Sequence, residues 1–253
     1  MTAERIVSID PQPDLGNASV GILFGPSFVA VLLIGGSMKK EVFTFSLRDI
    51  TEIAVLVAMA VVLDTFVKIP LGGEGGSLNF SMVPIFVIAL RHGPFKTFIA
   101  GGVIFGLITC LLDGYGFITY PLDYLVSFGS TCVLGFFGAY INNNFNKGTR
   151  SMVNSVLIIV LSITLWAFIR LFASTLDGIL VYKSSFAASL AYNAVYIVPT
   201  LIFDIPITIA LVIPLTGISK RYSSSYLKAY KKDNNQETEV EENTEVKDNS
   251  NQE

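Results

Sequence analysis

The stretch RLFASTLDGILVY, Arg170 to Tyr182, sets an arginine, two hydroxyls and an aspartate at the end of about thirty residues that otherwise suit lipid. Arg170, Ser174, Asp177 and Gly178 are spaced 4, 3 and 1, which on a helix gathers them into one stripe. A charged side chain at the centre of a bilayer costs about 3 kcal/mol even on the lenient insertion scale, so the stripe must face protein or a water-filled cavity. Two readings stay open: an internal salt bridge from Arg170 to Asp177 or to another segment, or the wall of a pocket open to the outside. The segment AYNAVY supplies a matching face, with Asn193 and Tyr196 three apart and Tyr192 beside them. Taken singly, Tyr120, Tyr124, Tyr182 and Tyr192 are ordinary belt residues of a membrane interface. Together with the carboxylates of Asp64, Asp113, Asp123 and Asp177 they suit a flat cation: aromatic faces attract it and a carboxylate balances its charge.

Other chemistries have little material. Cys110 and Cys132 lie inside apolar segments without metal-ligand spacing, and the single histidine, His92, is expected in a short basic loop. A metal site or a Ser-His-Asp triad is not expected, and no nucleophile–base pair marks an enzyme. GxxxxGK[ST] and GxGxxG are both absent, so no cofactor is expected in this chain and pumping by ATP would need partner subunits.

The elements that must hold these residues are membrane helices. The chain of 253 residues is 52% hydrophobic and only 15% charged, against about 25% charge in a soluble globule, and its mean hydropathy is +0.61. Six segments, roughly 50–70, 77–91, 94–113, 119–143, 152–182 and 188–217, are long and apolar enough to cross a bilayer, and in a chain lacking barrel alternation lipid permits only helices there. The reading is an all-α six-transmembrane-helix bundle, multi-pass in the plasma membrane. Lys39, Lys40, Arg48, Arg91, Lys96, Lys147, Arg150, Lys220 and Arg221 fall in one set of loops, while the other set holds only Lys68 and Lys183. That bias places both core termini in the cytoplasm and the acids in the outer half.

Residues 1–37 contain VGILFGPSFVAVLLIGG, either an extra N-terminal apolar helix or a leader upstream of a start at Met38; residues 38–221 form the membrane domain. Residues 222–253 read as a disordered acidic cytoplasmic tail, since Asp233 to Glu253 is almost free of large apolar side chains. The glycines of LGGEGGS, Leu71 to Ser77, permit a gate or a plain connector. Two small-residue pairs, Ala54 with Ala58 and Gly102 with Gly106, allow another helix to approach closely, within the bundle or from a partner.

TEIAVLVAMA, GGSLNFSMVPIFVIALRHG, LDYLVSFG, the Arg170–Gly178 stripe and SLAYNAVYIVP together resemble the thiamine-specific S components of energy-coupling factor (ECF) transporters, across residues 47–218. The resemblance implies six helices, a vitamin pocket in the outer half, and docking through Ala54 and Ala58 onto a transmembrane T subunit that carries two ATPases. It places the family's acid–tyrosine pair on Asp123 and Tyr124, with Asp where Glu is frequent, and its pocket asparagine on Asn193. Its pocket histidine falls on Ser174, an aromatic on Tyr182, and a tyrosine on Ala188. The expected substrate-binding set is therefore Asp123, Tyr124, Arg170, Ser174, Asp177, Tyr182, Asn193 and Tyr196, for thiamine or a thiamine-like compound. A stand-alone secondary transporter is the rival, though no internal repeat or paired broken helices support it.

Overall fold

The computed structural model describes residues 45–70 and 76–232. Helix α1, Leu47–Phe66, starts where Ser46 accepts a hydrogen bond from the Asp49 amide at 3.1 Å, a side-chain cap for an otherwise orphaned donor. Its spacing decides its two faces: Ile53, Val57 and Ala60 are buried, while Ala54, Val55, Ala58, Met59 and Val62 are exposed. A short antiparallel ribbon follows, β1 Lys68–Pro70 against β2 Ser77–Asn79, in the register Lys68 to Asn79. It is the one departure from an all-α chain among the described residues.

Helix α2, Met82–Thr97, is buried almost throughout and breaks at Gly93, whose backbone (φ 80°, ψ 178°) is not helical. The conformation requires glycine, and a Cβ there would also stand 2.7 Å from the Tyr226 ring. The basic loop expected between segments two and three thus contracts to one residue, and Pro94 opens the next helical run. That run passes through a π-helical stretch, Phe98–Phe105, into α3, Gly106–Asp113. A second π-helical stretch, Tyr120–Val126, and one turn, Ser127–Gly129, lead to α4, Cys132–Asn144. The two wide stretches lie together: a Cβ on Gly102 would stand 2.9 Å from both the Gly129 Cα and the Leu125 carbonyl, and one on Gly106 3.3 Å from the Tyr124 carbonyl. The pair Gly102 and Gly106 is therefore an internal contact.

Helices α5, Thr149–Leu180, and α6, Phe186–Arg221, form a long hairpin. Helix α6 keeps running through Pro199, Pro206 and Pro214, which membrane helices tolerate better than soluble ones. Among the described residues four segments are long and apolar enough to cross a bilayer: Met82–Asp113, Tyr120–Asn144, Thr149–Leu180 and Phe186–Arg221, the first of them containing the Gly93 break. Leu157, Leu161, Leu165, Phe168 and Phe172 run down an exposed face of α5, as contact with acyl chains demands. The core includes Phe86 edge-on to Trp166, with ring centres 5.0 Å apart.

Charge gathers at the end where α1 begins and α6 finishes. Lys96 donates to Asp49 at 2.8 Å, and both are buried. Arg91 holds Glu52 through Nε and, at 2.9 Å, Nη2; its Nη1 donates to Ser219 at 2.9 Å. His92 is fully buried between them, each ring nitrogen 3.6 Å from a carboxylate oxygen of Asp49 or Glu52. This corrects the expectation of a loop histidine: the Gly93 break leaves His92 inside the last turn before it.

A second correction concerns the tail. Residues 225–232 form helix α7, which buries Tyr226, Leu227 and Ala229. Ser224 donates to the Arg91 carbonyl, and Tyr226 donates to the Gly135 carbonyl at 3.2 Å. Burial pushes the Tyr226 phenol up to about 12, so it stays a neutral donor. Three apolar side chains within SYLKAYKK suffice to dock one short helix. Residues 1–37, the core of LGGEGGS at 71–75, and 233–253 lie outside the described residues.

Candidate functional site

At the other end of the bundle, the π-helical stretch carries Asp123 to α5. Ser174 donates to Asp123 Oδ1 at 2.5 Å, and the Ser127 and Ser174 hydroxyls stand 3.4 Å apart. The Ser127 carbonyl accepts from Trp166 Nε1 at 2.9 Å, which fixes the indole two turns below Ser174. Between them, the Arg170 guanidinium carbon lies 5.0 Å from the Phe128 ring centre and 5.5 Å from that of Trp166. Arg170 makes no salt bridge among the described residues, so the internal pair with Asp177 does not form. The cation rests on aromatic faces instead, within electrostatic reach of Asp64 and Asp123.

Asp177 is buried one turn above Ser174, with one carboxylate oxygen unpartnered, and it feels the charge of Asp123. Gly178 is where α6 comes closest: the space a side chain would fill is taken by Ser189, whose hydroxyl donates to the Thr175 carbonyl at 3.0 Å. One turn further along α6, the Asn193 amide donates to the Ser189 carbonyl at 2.9 Å, and its oxygen accepts from Tyr196 at 2.5 Å. The Tyr196 ring lies against Gly76 at the ribbon's edge, so close that a Cβ there would stand 2.6 Å away. Asn79 on β2 donates to Asp64 at 3.0 Å and ties the ribbon to α1.

Asp123, Arg170, Ser174, Asp177, Asn193 and Tyr196 therefore converge from three chain segments. Two residues of the expected set stand apart. Tyr124 is buried but donates to Asp113 at 3.0 Å, turned toward α3 rather than α5. Tyr182 is 54% exposed at the end of α5. Three positioning residues were not anticipated: Ser127, Asn79 and Trp166. Trp166 was legible, since 166, 170 and 174 share the face of the stripe.

Among the described residues the group holds one half-buried cation, Arg170, against four carboxylates, the buried Asp177, the half-buried Asp64 and Asp123 and the exposed Asp113, a balance that favours a positively charged guest. Among the described residues no cluster of three or more His, Cys, Asp or Glu side chains is placed to hold a metal ion. A polar group enclosed at one end of a membrane helix bundle, with no nucleotide-binding motif in the chain, is the anatomy of a substrate-binding membrane subunit of the ECF type, an S component.

The comparisons define the family. The sequence matches the thiamine transporter protein family (Thia_YuaJ) over residues 50–220, and the chain belongs to it. It is 31% identical over 170 residues to the thiamine transporter ThiT of Bacillus subtilis, which covers 60% of this chain and 83% of that protein. Its fold resembles the solved ThiT of Listeria monocytogenes, with a TM-score of 0.57, 21% identity, and coverage of 67% of this chain and 97% of the other. It also resembles FolT solved with folic acid, with a TM-score of 0.51, 19% identity, and coverage of 67% and 95%. The chain is thus a multi-pass protein of the plasma membrane and a component of vitamin-uptake transport.

Proposed function

We propose that the chain binds thiamine or a close thiamine-like cation from outside the cell and delivers it through an ECF T subunit powered by two ATPases. The observation that carries this reading is the acidic, aromatic-floored group around Asp123. In it Asp123, backed by Asp177, balances the thiazolium charge, and Tyr196 offers a ring face. Asn193 bonds the pyrimidine edge, while Arg170 and Ser174 set the depth and orientation of Asp123. Tyr124 acts from behind, steadying the turn through Asp113. The Ser174–Asp123 and Tyr196–Asn193 bonds are contacts a ligand can replace, at a net exchange of about 1 kcal/mol each.

The same reading takes the break at Gly93, together with α1, as giving six crossings with both core ends in the cytoplasm. It assigns the exposed Ala54–Ala58 face to the T subunit, because Gly102 and Gly106, the rival small pair, are already used inside the bundle. A second reading keeps the scaffold and changes the ligand. Ser174 and Ala188 stand where the family resemblance sets histidine and tyrosine, which removes a hydrogen bond and a stacking surface, so a different small heterocycle or vitamin precursor is the alternative ligand. Co-purification tests the function: the chain should bring down a T subunit and ATPases and should move no solute in liposomes alone. Transport by the lone chain would instead establish a secondary carrier.

A further inference from the structure

Helix α6 buries one polar stripe along its whole length: Ser189, Asn193, Thr200, Asp204, Thr208, Thr216 and Ser219. Every carboxylate discussed so far lies toward an end of the bundle, whereas Asp204 lies at the middle of the 36-residue helix. The acids recognised from sequence did not include it. Asp204 and Thr208 are both fully buried. Neither Asp204 oxygen has a hydrogen-bond partner among the described residues, and neither does the Thr208 hydroxyl one turn away.

We infer that Asp204, with Thr208 beside it, is an intramembrane proton-binding site, occupied while α6 is packed against its neighbours. An ionised carboxylate with no partner at this depth is the most costly state the group can take, and such a group neutralises itself instead. The donors present decide the occupant. Two carboxylate oxygens and one hydroxyl are too few for a metal cation that prefers six oxygens, but enough for a proton and a bridging water.

Among the described residues the surroundings leave one charged antagonist. On α5, Arg170 acts on Asp204 electrostatically, though no salt bridge joins them. On α2, Arg91 is occupied at the basic end by Glu52 and by Ser219, which lies fifteen residues beyond Asp204, about 22 Å along the helix. His92 and Lys96 sit in the same cluster against Asp49 and Glu52. Helix α4 carries no charged residue and strand β2 no titratable one. Opening the packing around α6 admits water and lets the acid ionise, so proton binding and closure of this contact are one linked equilibrium.

The test uses the full chain in lipid nanodiscs. Infrared difference spectra between acid and alkaline buffer should show a buried, protonated carboxyl band that disappears in Asp204→Asn. Because the native state binds the proton more tightly than the unfolded chain, raising pH from about 5 to about 9 should lower the melting temperature of the parent relative to that variant. Arg170→Gln removes the opposing charge and should carry the loss to higher pH. Replacing choline chloride by sodium chloride should change neither readout. If Asp204→Asn does not fold, the sodium comparison and the pH titration of the band in Asp177→Asn, which removes another buried acid with an unpartnered oxygen, still decide. Absence of a protonated carboxyl band would overturn the inference, as would a melting-temperature gap independent of pH or stabilisation of the parent by sodium alone.

Discussion

Asp123→Asn isolates charge from shape at the centre of the proposed site. Asparagine keeps an oxygen that can accept from Ser174, so the turn and α5 should stay in place. What is lost is one negative charge facing a cationic ligand. Two unit charges about 4 Å apart interact by about 4 kcal/mol at the effective dielectric typical of protein sites. Asp177 and Asp64 remain nearby and Arg170 opposes, so about half of that, ~2 kcal/mol, is expected to appear. That is a rise of about 30-fold in Kd. The chain supplies its own probe, because Trp166 is its only tryptophan and lies against Arg170 and Ser127. Titration with thiamine should change its emission in parent and variant at ligand concentrations about 30-fold apart. A neutral thiamine analogue of similar shape should bind both within about 2-fold, since the pair difference measures the charge term alone. A loss below about 3-fold for thiamine, or an equal loss for the neutral analogue, would refute charge balancing by Asp123.

Other outcomes follow from the same geometry. Lys96→Met strands the buried Asp49 carboxylate and should cost about 3–5 kcal/mol, read as a lowered melting temperature, while the Kd for ligand at the opposite end stays the same. Gly138→Ala places a Cβ 2.8 Å from the Ala89 and Leu90 carbonyls and should cost about 1–3 kcal/mol by wedging α2 from α4. Tyr226→Phe should cost about 1 kcal/mol, provided α7 docks as described; an unchanged melting temperature would show that it does not. Ala58→Trp should leave folding and ligand binding intact, because Ala58 faces outward, and should abolish co-purification with the T subunit.

Sequence patterning went far where lipid makes the rules. Helix α5 and helix α6 were legible because apolar runs of that length have no other stable form, and the 4-3-1 spacing from Arg170 to Gly178 placed the inward stripe. Partnerships were harder to read. Arg91 and Lys96 counted as loop charges for orientation, yet both are buried against acids of α1, a pairing that depends on the one-residue break at Gly93. Asp123 and Tyr124 are adjacent in sequence but point to different partners, because successive side chains on a helix diverge by about 100°, and which neighbour each one meets depends on the packing. The glycines of GVIFG and the alanines of AVLVA carried the same small-residue signature; only the packing separates an inner contact from an open face.

The central claim, that this chain alone forms the binding site, is tested most directly by equilibrium binding of labelled thiamine to the purified chain with no partner subunit present. The account predicts saturable, sub-micromolar binding of one ligand per chain, displaced by related cations and weakened in Asp123→Asn and Asn193→Ala. A folded, monodisperse preparation that retains neither thiamine nor any thiamine-like cation would contradict it.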